Sequence, residues 1–575
     1  MINLELSEIF YRIADFLELK EVQFKPRAYE KVARVLETME RDAHDIYKEG
    51  GLKALEEIPS VGKSIALQIE EYIKTGEIKG YNKLKKECPV KIEELLKIEG
   101  LGSRKIKVFY KKLNIKNLKD LEKAAKKNKI RELEGFGEKS EENILQGIEL
   151  AKANKGRFLL GDILPILRGI VVDLKKLSEV EKITIAGSTR RMKETIGDGD
   201  ILVVSSEPEK VMEYFTSMKE VVRLWAKGPT KSSARLKGGF DCDLRVVKKE
   251  SFGAALQYFT GSKDHNIMTR RIAIKKRLKL NEYGVYSVRS GREKRIAGKT
   301  EKKVYESIGL RYIEPELRTN TGEIEVALEN KLPKLIGYND IKGDCQMHTT
   351  WSDGVNTIEE MVKTAKNMGY EYITITDHAG FLKIANAMGR NEILKQMKEI
   401  DEINKKLSGI KILKGCEVDI KKDGSLALDD EILSKLDFVG AAIHSNFKMN
   451  KEDMTGRLLR AIENPNVDAI FHPTGRIIMR REPFIFDYDK IFKAAKETKT
   501  ILEIDAHPKR LDLKDTDVRQ AIGHGVKLMI DTDAHSAVGL SMMEYGIGTA
   551  RRGWAEKKDI LNTRPLDKFL EWLER

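Results

Sequence analysis

Short apolar runs that end on histidine or aspartate recur through the C-terminal part of the chain. They are Tyr372-Ile-Thr-Ile-Thr-Asp377-His378, Phe438-Val-Gly-Ala-Ala-Ile-His444, Val467-Asp-Ala-Ile-Phe-His472, Leu502-Glu503-Ile-Asp505-Ala-His507 and Leu528-Met-Ile-Asp531-Thr-Asp533-Ala-His535. Runs this short, separated by stretches of helical period such as 357–369 and 389–407, read as buried parallel strands joined by helices. Alternation sustained from 341 to 575 predicts a (β/α) barrel. In a barrel, the residues that follow the strands gather at one mouth. Of the nine histidines, seven fall after residue 344: His348, His378, His444, His472, His507, His524 and His535. A single histidine so placed is ordinarily a partly buried core residue. Imidazoles and carboxylates repeated at the same strand end form a donor set for divalent cations.

A second constellation lies upstream, in ITIAGSTRRMKETIGDGDILVV (183–204). It reads as a strand, a tight turn at Gly187-Ser188, a short basic helix with Arg190, Arg191 and Lys193, and a second strand. Asp198 and Asp200 stand two apart at the head of the apolar run Ile201–Val204, so their side chains share a face. The alternating stretch around Asp241, Asp243 and Arg245 reads as another strand and offers a third carboxylate. Carboxylates crowded on one face are costly unless something positive binds there. Hard divalent cations are the natural occupants. A Gly-Ser turn with guanidinium groups beside them suits a triphosphate, and the whole suits two-metal phosphoryl transfer.

GSTRRMKETIGDGD (187–200), DCDLRVV (241–247) and YFTGSKDHN (258–266) together resemble the palm of family X DNA polymerases, within the nucleotidyltransferase superfamily. The resemblance implies Asp198, Asp200 and Asp243 as catalytic ligands of Mg2+ or Mn2+. It implies Gly187, Ser188, Arg191 and Gly197 around the triphosphate, and Tyr258, Phe259, Gly261 and Asn266 as the sugar- and base-facing wall. Arg245 resembles the basic neighbour of the third carboxylate, and Arg270 lies on the thumb helix as a DNA contact. Gly199 departs from the pattern, which usually has an apolar residue there. Glycine weakens a strand by roughly 0.5–1 kcal/mol but removes no ligand.

The N-terminal part is helical, with Leu6, Ile9, Phe10 and Ile13 at helical spacing and a second amphipathic helix from Phe24. One pattern then repeats: Ile58-Pro-Ser-Val-Gly62-Lys63, Ile98-Glu-Gly100-Leu-Gly102-Ser-Arg104 and Leu133-Glu-Gly135-Phe-Gly137-Glu-Lys139. Each joins an apolar residue, a glycine turn and a helix start, and resembles the helix-hairpin-helix motif. One such turn is usually a plain connection. Three in a lysine-rich region predict sequence-independent binding of the DNA backbone through free helix amides. In that motif family the carbonyls also hold a monovalent cation. Residues 1–78 resemble the small domain that holds a 5′-phosphate at a gap, with Lys25, Tyr29 and Lys63 as candidates for its pocket. Some members carry a Schiff-base lysine where this chain has Gln68, and glutamine forms no imine.

The barrel motifs are Gly343-Asp-Cys-Gln-Met-His348-Thr-Thr-Trp-Ser-Asp353-Gly, TDH (376–378), GCEVD (415–419), FHPTGR (471–476) and TDAHS (532–536). They resemble the PHP (polymerase and histidinol phosphatase) domain. The resemblance implies a distorted barrel with up to three divalent ions, Zn2+ or Mn2+, that cleaves phosphoesters. His348, Asp353, His378, Glu417, His444, His472, Asp533 and His535 carry over as ligands, with Glu417 bridging two ions. The usual H-x-H begins here with Gln346, a poorer ligand for Zn2+ than imidazole. Asp505 and His507 invite a role behind the ligands, while His524 fits the surface equally well.

The expected organisation is a DNA-end-binding domain with the first hairpin (1–78), the second and third hairpins (79–150), a fingers helix and palm (151–260), a thumb (261–317), a linker (318–340) and the PHP domain (341–575). A net charge of +14 favours a polyanionic partner. The resemblance implies gapped or nicked DNA and deoxynucleoside triphosphates as partners, and gap filling coupled to a 3′-5′ exonuclease or related 3′-end phosphoesterase. A DNA-guided phosphoesterase and a DNA-binding scaffold remain alternatives. There is no apolar run of ~18 residues that predicts a membrane span. The four cysteines form no C-x-x-C pair, and no signal peptide pattern opens the chain, so a reducing cytoplasm is expected.

Overall fold

The computed structural model describes residues 2–39, 41–98, 101–153, 156–289, 292–382 and 385–574. Its N-terminal part is helical throughout. Helices Ile2–Leu19 and Lys25–Thr38 pack side by side, burying Leu6, Phe10, Ile13, Val32 and Leu36 with Ile65 and Ile69 of the helix Lys63–Thr75. A second small core gathers Ile92, Leu95, Ile106, Phe109, Leu121 and Ile144. Gly62 caps the helix Lys63–Thr75 and Gly102 caps Ser103–Leu113, both in extended conformation. Gly135 sits at φ +82°, in the left-handed region where a side chain is strained. Gly100 lies outside the described residues.

The palm is a five-stranded sheet. Its spatial order is Val180–Ile185, Asp198–Ser205, Asp241–Val247, Lys231–Leu236 and Val221–Lys227. The two central strands are parallel and the other pairs antiparallel. The apolar helix Leu160–Leu174 lies beneath, packing Ile163, Leu167 and Ile170 with Ile201, Val203, Cys242 and Leu244. That helix explains Gly199. A Cβ added at residue 199 would lie 2.7 Å from Leu167 Cδ2, so the large leucine takes the space a side chain would need. Gly199→Val therefore destabilises the protein by about 1–3 kcal/mol. Leu167→Ala in the same chain recovers part of that loss, a non-additivity that paired denaturant titrations will read.

The thumb follows as the helix Lys263–Lys275, a three-stranded antiparallel sheet and the helix Glu301–Ser307. Residues 318–340 are folded against it. Arg318 is fully buried and pairs with Glu301 at 2.7 Å. Glu323 accepts from the Asn320 and Thr321 amides and meets His265 Nδ1 at 2.7 Å.

The C-terminal part is a parallel barrel. Seven strands from Gly343–Asp344 to Leu528–Asp531 lie in spatial order as in sequence, with the short strand His378–Ala379 added beside the third. The His348 amide donates to the Ala534 carbonyl (2.8 Å), joining first and last strands into a nearly closed ring. The helix Leu566–Leu573 packs Phe569 against Tyr372 (ring centroids 4.9 Å) and Phe438. Among the described residues, no helix is long and apolar enough to cross a membrane.

Candidate active sites

The two central palm strands run in register, with Asp198 opposite Asp241 and Asp200 opposite Asp243. Asp198, Asp200 and Asp243 thus meet on one face. Burial pushes the Asp200 carboxyl up to about 7, and the Asp198 and Asp243 carboxylates add to the push. Asp243 accepts from the Ser233 hydroxyl, and Lys231 Nζ (3.0 Å) and Arg245 Nη2 (3.6 Å) lie on its other oxygen. Asp241 does not join the set. Arg235 grips it through two bonds (2.6 and 3.0 Å), and Trp225 Nε1 donates to it at 2.7 Å.

The turn beside these carboxylates is tight. Gly187 sits at φ +64°, and a Cβ there would collide with the Asp200 carboxylate. Ser188 lies in the following helical turn, and an added Cβ at Gly197 would touch Arg157 Nη1 at 3.2 Å. The two neighbouring arginines differ in role. Arg190 is consumed by the thumb, bonding Glu301 at 2.6 Å and the Thr260 hydroxyl at 2.6 Å. Arg191 donates to the Thr260 carbonyl and, among the described residues, has no carboxylate within ion-pair distance. Burial, then Arg552, pull its guanidinium down to about 10. Tyr258 and Phe259 meet edge to face at 5.1 Å. Arg245 stacks over Phe259 (4.5 Å) and Arg270 over Tyr258 (5.9 Å). Asn266 donates to the Tyr258 carbonyl at 2.7 Å, just beyond Gly261 at φ +68°.

In the barrel mouth, Glu417 is the hub. His348 Nε2 lies 3.2 Å from it, His378 Nδ1 3.4 Å, His444 Nε2 3.0 Å and His472 Nε2 2.8 Å. Asp533 lies 3.1 Å from His348 Nε2, and Asp353 lies 3.4 Å from His535 Nε2. Among the described residues, three groups have ligand atoms within 4.8 Å of one another: His348 with Asp353, His378 and His535; His378 with Glu417 and His444; and His348 with Glu417 and Asp533. Among the described residues, both His348 ring nitrogens, Glu417 Oε2 and His472 Nδ1 are buried without a hydrogen-bond partner of good geometry. Each such group costs about 1–3 kcal/mol unless something else satisfies it. Imidazole and carboxylate donors converging this way fit divalent cations of the Zn2+ or Mn2+ type. His472 (φ +30°) and Asp533 (φ +50°) also hold left-handed backbones, a strain typical of functional positions.

Asp419, the last residue of the motif GCEVD, completes the arrangement and is a site residue that the motif alone does not single out. Its carboxylate holds His444 Nδ1 at 2.7 Å, turning Nε2 toward Glu417. Burial works against the His444 imidazolium, but Glu417 and Asp419 outweigh it and hold the ring up to about 9. The signal was its i+2 spacing from Glu417 on one strand. Asp377 of the TDH motif accepts from Thr349 (2.7 and 2.6 Å) and Gln396 (2.6 Å), so it braces the loops. Gln346 is fully buried, and its amide nitrogen, oriented by hydrogen bonding, donates to Glu503 Oε2 at 3.1 Å. Asp505 faces Arg510 Nε (3.5 Å), which also reaches toward Asp533 (3.8 Å). His507 belongs to none of the three groups and accepts from the Lys509 amide at 3.2 Å. His524 ends the helix Asp515–His524 and pairs with Asp489 at 3.3 Å, a surface contact.

In the N-terminal part, Lys25 and Lys63 each begin a helix and are exposed. Gln68 Nε2 donates to the Tyr29 hydroxyl at 2.9 Å, tying the helix Lys25–Thr38 to Lys63–Thr75.

Comparison with known proteins agrees with this architecture. Residues 1–78 match the family model of a helix-hairpin-helix domain, and 92–149 a SAM-like helix-hairpin-helix tandem. Residues 255–319 match the DNA polymerase beta thumb, and 344–507 the PHP domain. A relative named "DNA polymerase/3'-5' exonuclease PolX", from Bacillus subtilis (strain 168), is 38% identical over 574 residues, spanning 99% of each chain. A "Probable phosphatase" from Acetivibrio thermocellus is 29% identical over 249 residues, covering 40% of this chain and 95% of that protein. With 99% of its length matched by the first relative, and a polymerase beta thumb and a PHP domain matched within it, the chain belongs to the family X DNA polymerases that carry a C-terminal PHP domain.

Proposed function

We propose that the protein fills short gaps in DNA by templated nucleotide addition and hydrolyses DNA 3′ ends in its barrel. The observation that carries the first half is the shared face of Asp198, Asp200 and Asp243 beside the Gly187–Arg191 turn. The hub of four imidazoles around Glu417 carries the second. The name printed for the Bacillus subtilis relative supports both.

Asp198, Asp200 and Asp243 would hold Mg2+ or Mn2+, which would supply Lewis-acid activation of the primer 3′-hydroxyl and charge neutralisation at the leaving pyrophosphate. Ser188 and the amides of the Gly187 turn receive the triphosphate, and Arg191 neutralises it. Tyr258 and Phe259 wall the sugar and base, with Asn266 holding the Tyr258 carbonyl in place. In the barrel, His348, Asp353, His378, Glu417, His444, His472, Asp533 and His535 would hold Zn2+ or Mn2+, which would supply a Lewis acid for phosphoester hydrolysis. Asp419 keeps His444 in the tautomer that offers Nε2. The helix amides after Gly62, Gly102 and Gly137 bind phosphates on either side of the gap, where a monovalent cation would add positive charge, and Lys25, Tyr29 and Lys63 receive its 5′-phosphate.

The gap assignment is tested with a one-nucleotide gap whose downstream strand does or does not carry a 5′-phosphate. Tighter binding and faster filling with the phosphate support it. Equal behaviour on both, and on an open primer, refutes it.

The palm charge predicts a competition between proton and cation. Below about 7 Asp200 holds a proton that the cation must displace. The Mg2+ concentration that half-saturates nucleotide addition should therefore fall as pH rises from about 6 to 8. A half-saturation value independent of pH in that window contradicts the crowded-carboxylate description.

A further inference from the structure

The turn that carries Arg191 is built by two parts of the protein. Met192, the next residue, holds a left-handed backbone at φ +51°, unusual for a residue with a side chain. Its side chain is buried against the barrel helix Met543–Arg552, where an added Cβ at Gly548 would lie 2.8 Å from Met192 Cε. Its carbonyl accepts from Arg552 Nη1 at 2.9 Å. Arg552 is 8% exposed, and its Nη2 pairs with Asp515. Asp515 also lies 4.0 Å from Lys193 Nζ. The residues on both sides of Arg191 are thus held, one by the thumb through Glu301 and one by the barrel through Arg552. The Nε atoms of Arg191 and Arg552 are both buried without a hydrogen bond among the described residues. Arg552 and Lys193 share the Asp515 carboxylate, while Arg191 is crowded by Arg552 and drawn by the charge of Asp200. Uncompensated buried cations of this kind favour an anion nearby. The helix that supplies Arg552 begins shortly after His535, in the same chain segment as the barrel ligands.

We propose that Arg552, a residue of the barrel part, is a positioning residue for the nucleotide site of the palm: through Met192 it fixes the turn that presents Arg191 to the triphosphate. The inference rests on the reading of Arg191 as a triphosphate contact. Its consequence is that the palm alone has a weaker nucleotide site than the whole chain, because the second wall of its turn is missing.

The test is equilibrium binding of dATP to the full-length protein, in EDTA and in Mg2+, together with KM and kcat for nucleotide addition. Arg552→Ala should weaken dATP binding roughly tenfold or more, the usual worth of a charge-assisted hydrogen bond. KM for the nucleotide should rise by a similar factor while kcat changes little. Arg552→Lys should recover part of the affinity, since it keeps the charge but cannot span the Met192 carbonyl and Asp515 together. Gly548→Ala, which pushes on Met192 from the other side, should raise KM in the same way, and serves where Arg552→Ala fails to fold. Unchanged dATP affinity in folded Arg552→Ala, or in folded Gly548→Ala when the first variant is unstable, overturns the proposal and leaves the polymerase reading intact. Wild-type protein that binds no dATP in either condition overturns both.

Discussion

Replacing Asp200 by asparagine should abolish nucleotide addition and, without divalent cations, make the protein more stable. The two effects have one cause. Asp200 is the most crowded carboxylate of the palm, and burial and its two acidic neighbours push it up to about 7. An acid whose folded pKa is raised costs stability at every pH where it is ionised in the unfolded chain. Neutral asparagine removes that cost, so the melting temperature without cations should rise at pH 8 and the gain should shrink toward pH 5. Catalysis needs the charge. Loss on the order of 10^4-fold in extension is expected, as for other catalytic units that act together. Mg2+ should stabilise the wild type by mass action and the variant much less. A variant that gains no stability, or that still extends a primer, contradicts the assignment of this face.

The second large effect concerns the barrel. The double variant His472→Ala/Asp533→Ala removes one residue from the Glu417 hub and one from beside His348. It should eliminate shortening of DNA 3′ ends and leave nucleotide addition near the wild-type rate. Bound Zn2+ or Mn2+ measured by elemental analysis should fall in parallel. Both residues hold strained left-handed backbones, at φ +30° and +50°. Alanine without a cation to fix it loses the reason for that strain, so the loop after each strand should also become more accessible to proteolysis. A double variant that still degrades a 3′ end would sink the barrel assignment.

What could be read without the structure follows from which contacts are local. The barrel is legible because its strands are short, mostly apolar and punctuated by ligand-type residues, and parallel strands buried on both faces leave that trace. The shared face of Asp198 and Asp200 follows from strand period alone. The pairing of Asp200 with Asp243 depends on register between distant strands, and only the resemblance pointed to it. Gly199 looked like a weakness because its partner, Leu167, lies on a helix far earlier in sequence. Strand period alone does not separate Asp241 from Asp243 in the stretch that offers the third carboxylate, whereas Arg235 and Trp225 claim Asp241 in the fold. Their role needs the antiparallel register of the next strands. Arg552 could not be seen at all, since nothing near it in sequence announces a contact with Met192. Residues 318–340, read as a connection because of Leu332-Pro333, include Arg318 and Glu323, whose burial depends on Glu301 and His265.

One denaturing gel tests the two activities most directly. A 5′-labelled primer bordering a one-nucleotide gap with a downstream 5′-phosphate is incubated in Mg2+ or Mn2+, with and without deoxynucleotides. Wild type, Asp198→Ala and His472→Ala/Asp533→Ala are compared. Two separable activities are predicted: templated single-nucleotide addition lost only in Asp198→Ala, and shortening without nucleotides lost only in the double variant. Shortening alone, with no addition in either metal, would contradict the central claim and leave a DNA-guided phosphoesterase in its place.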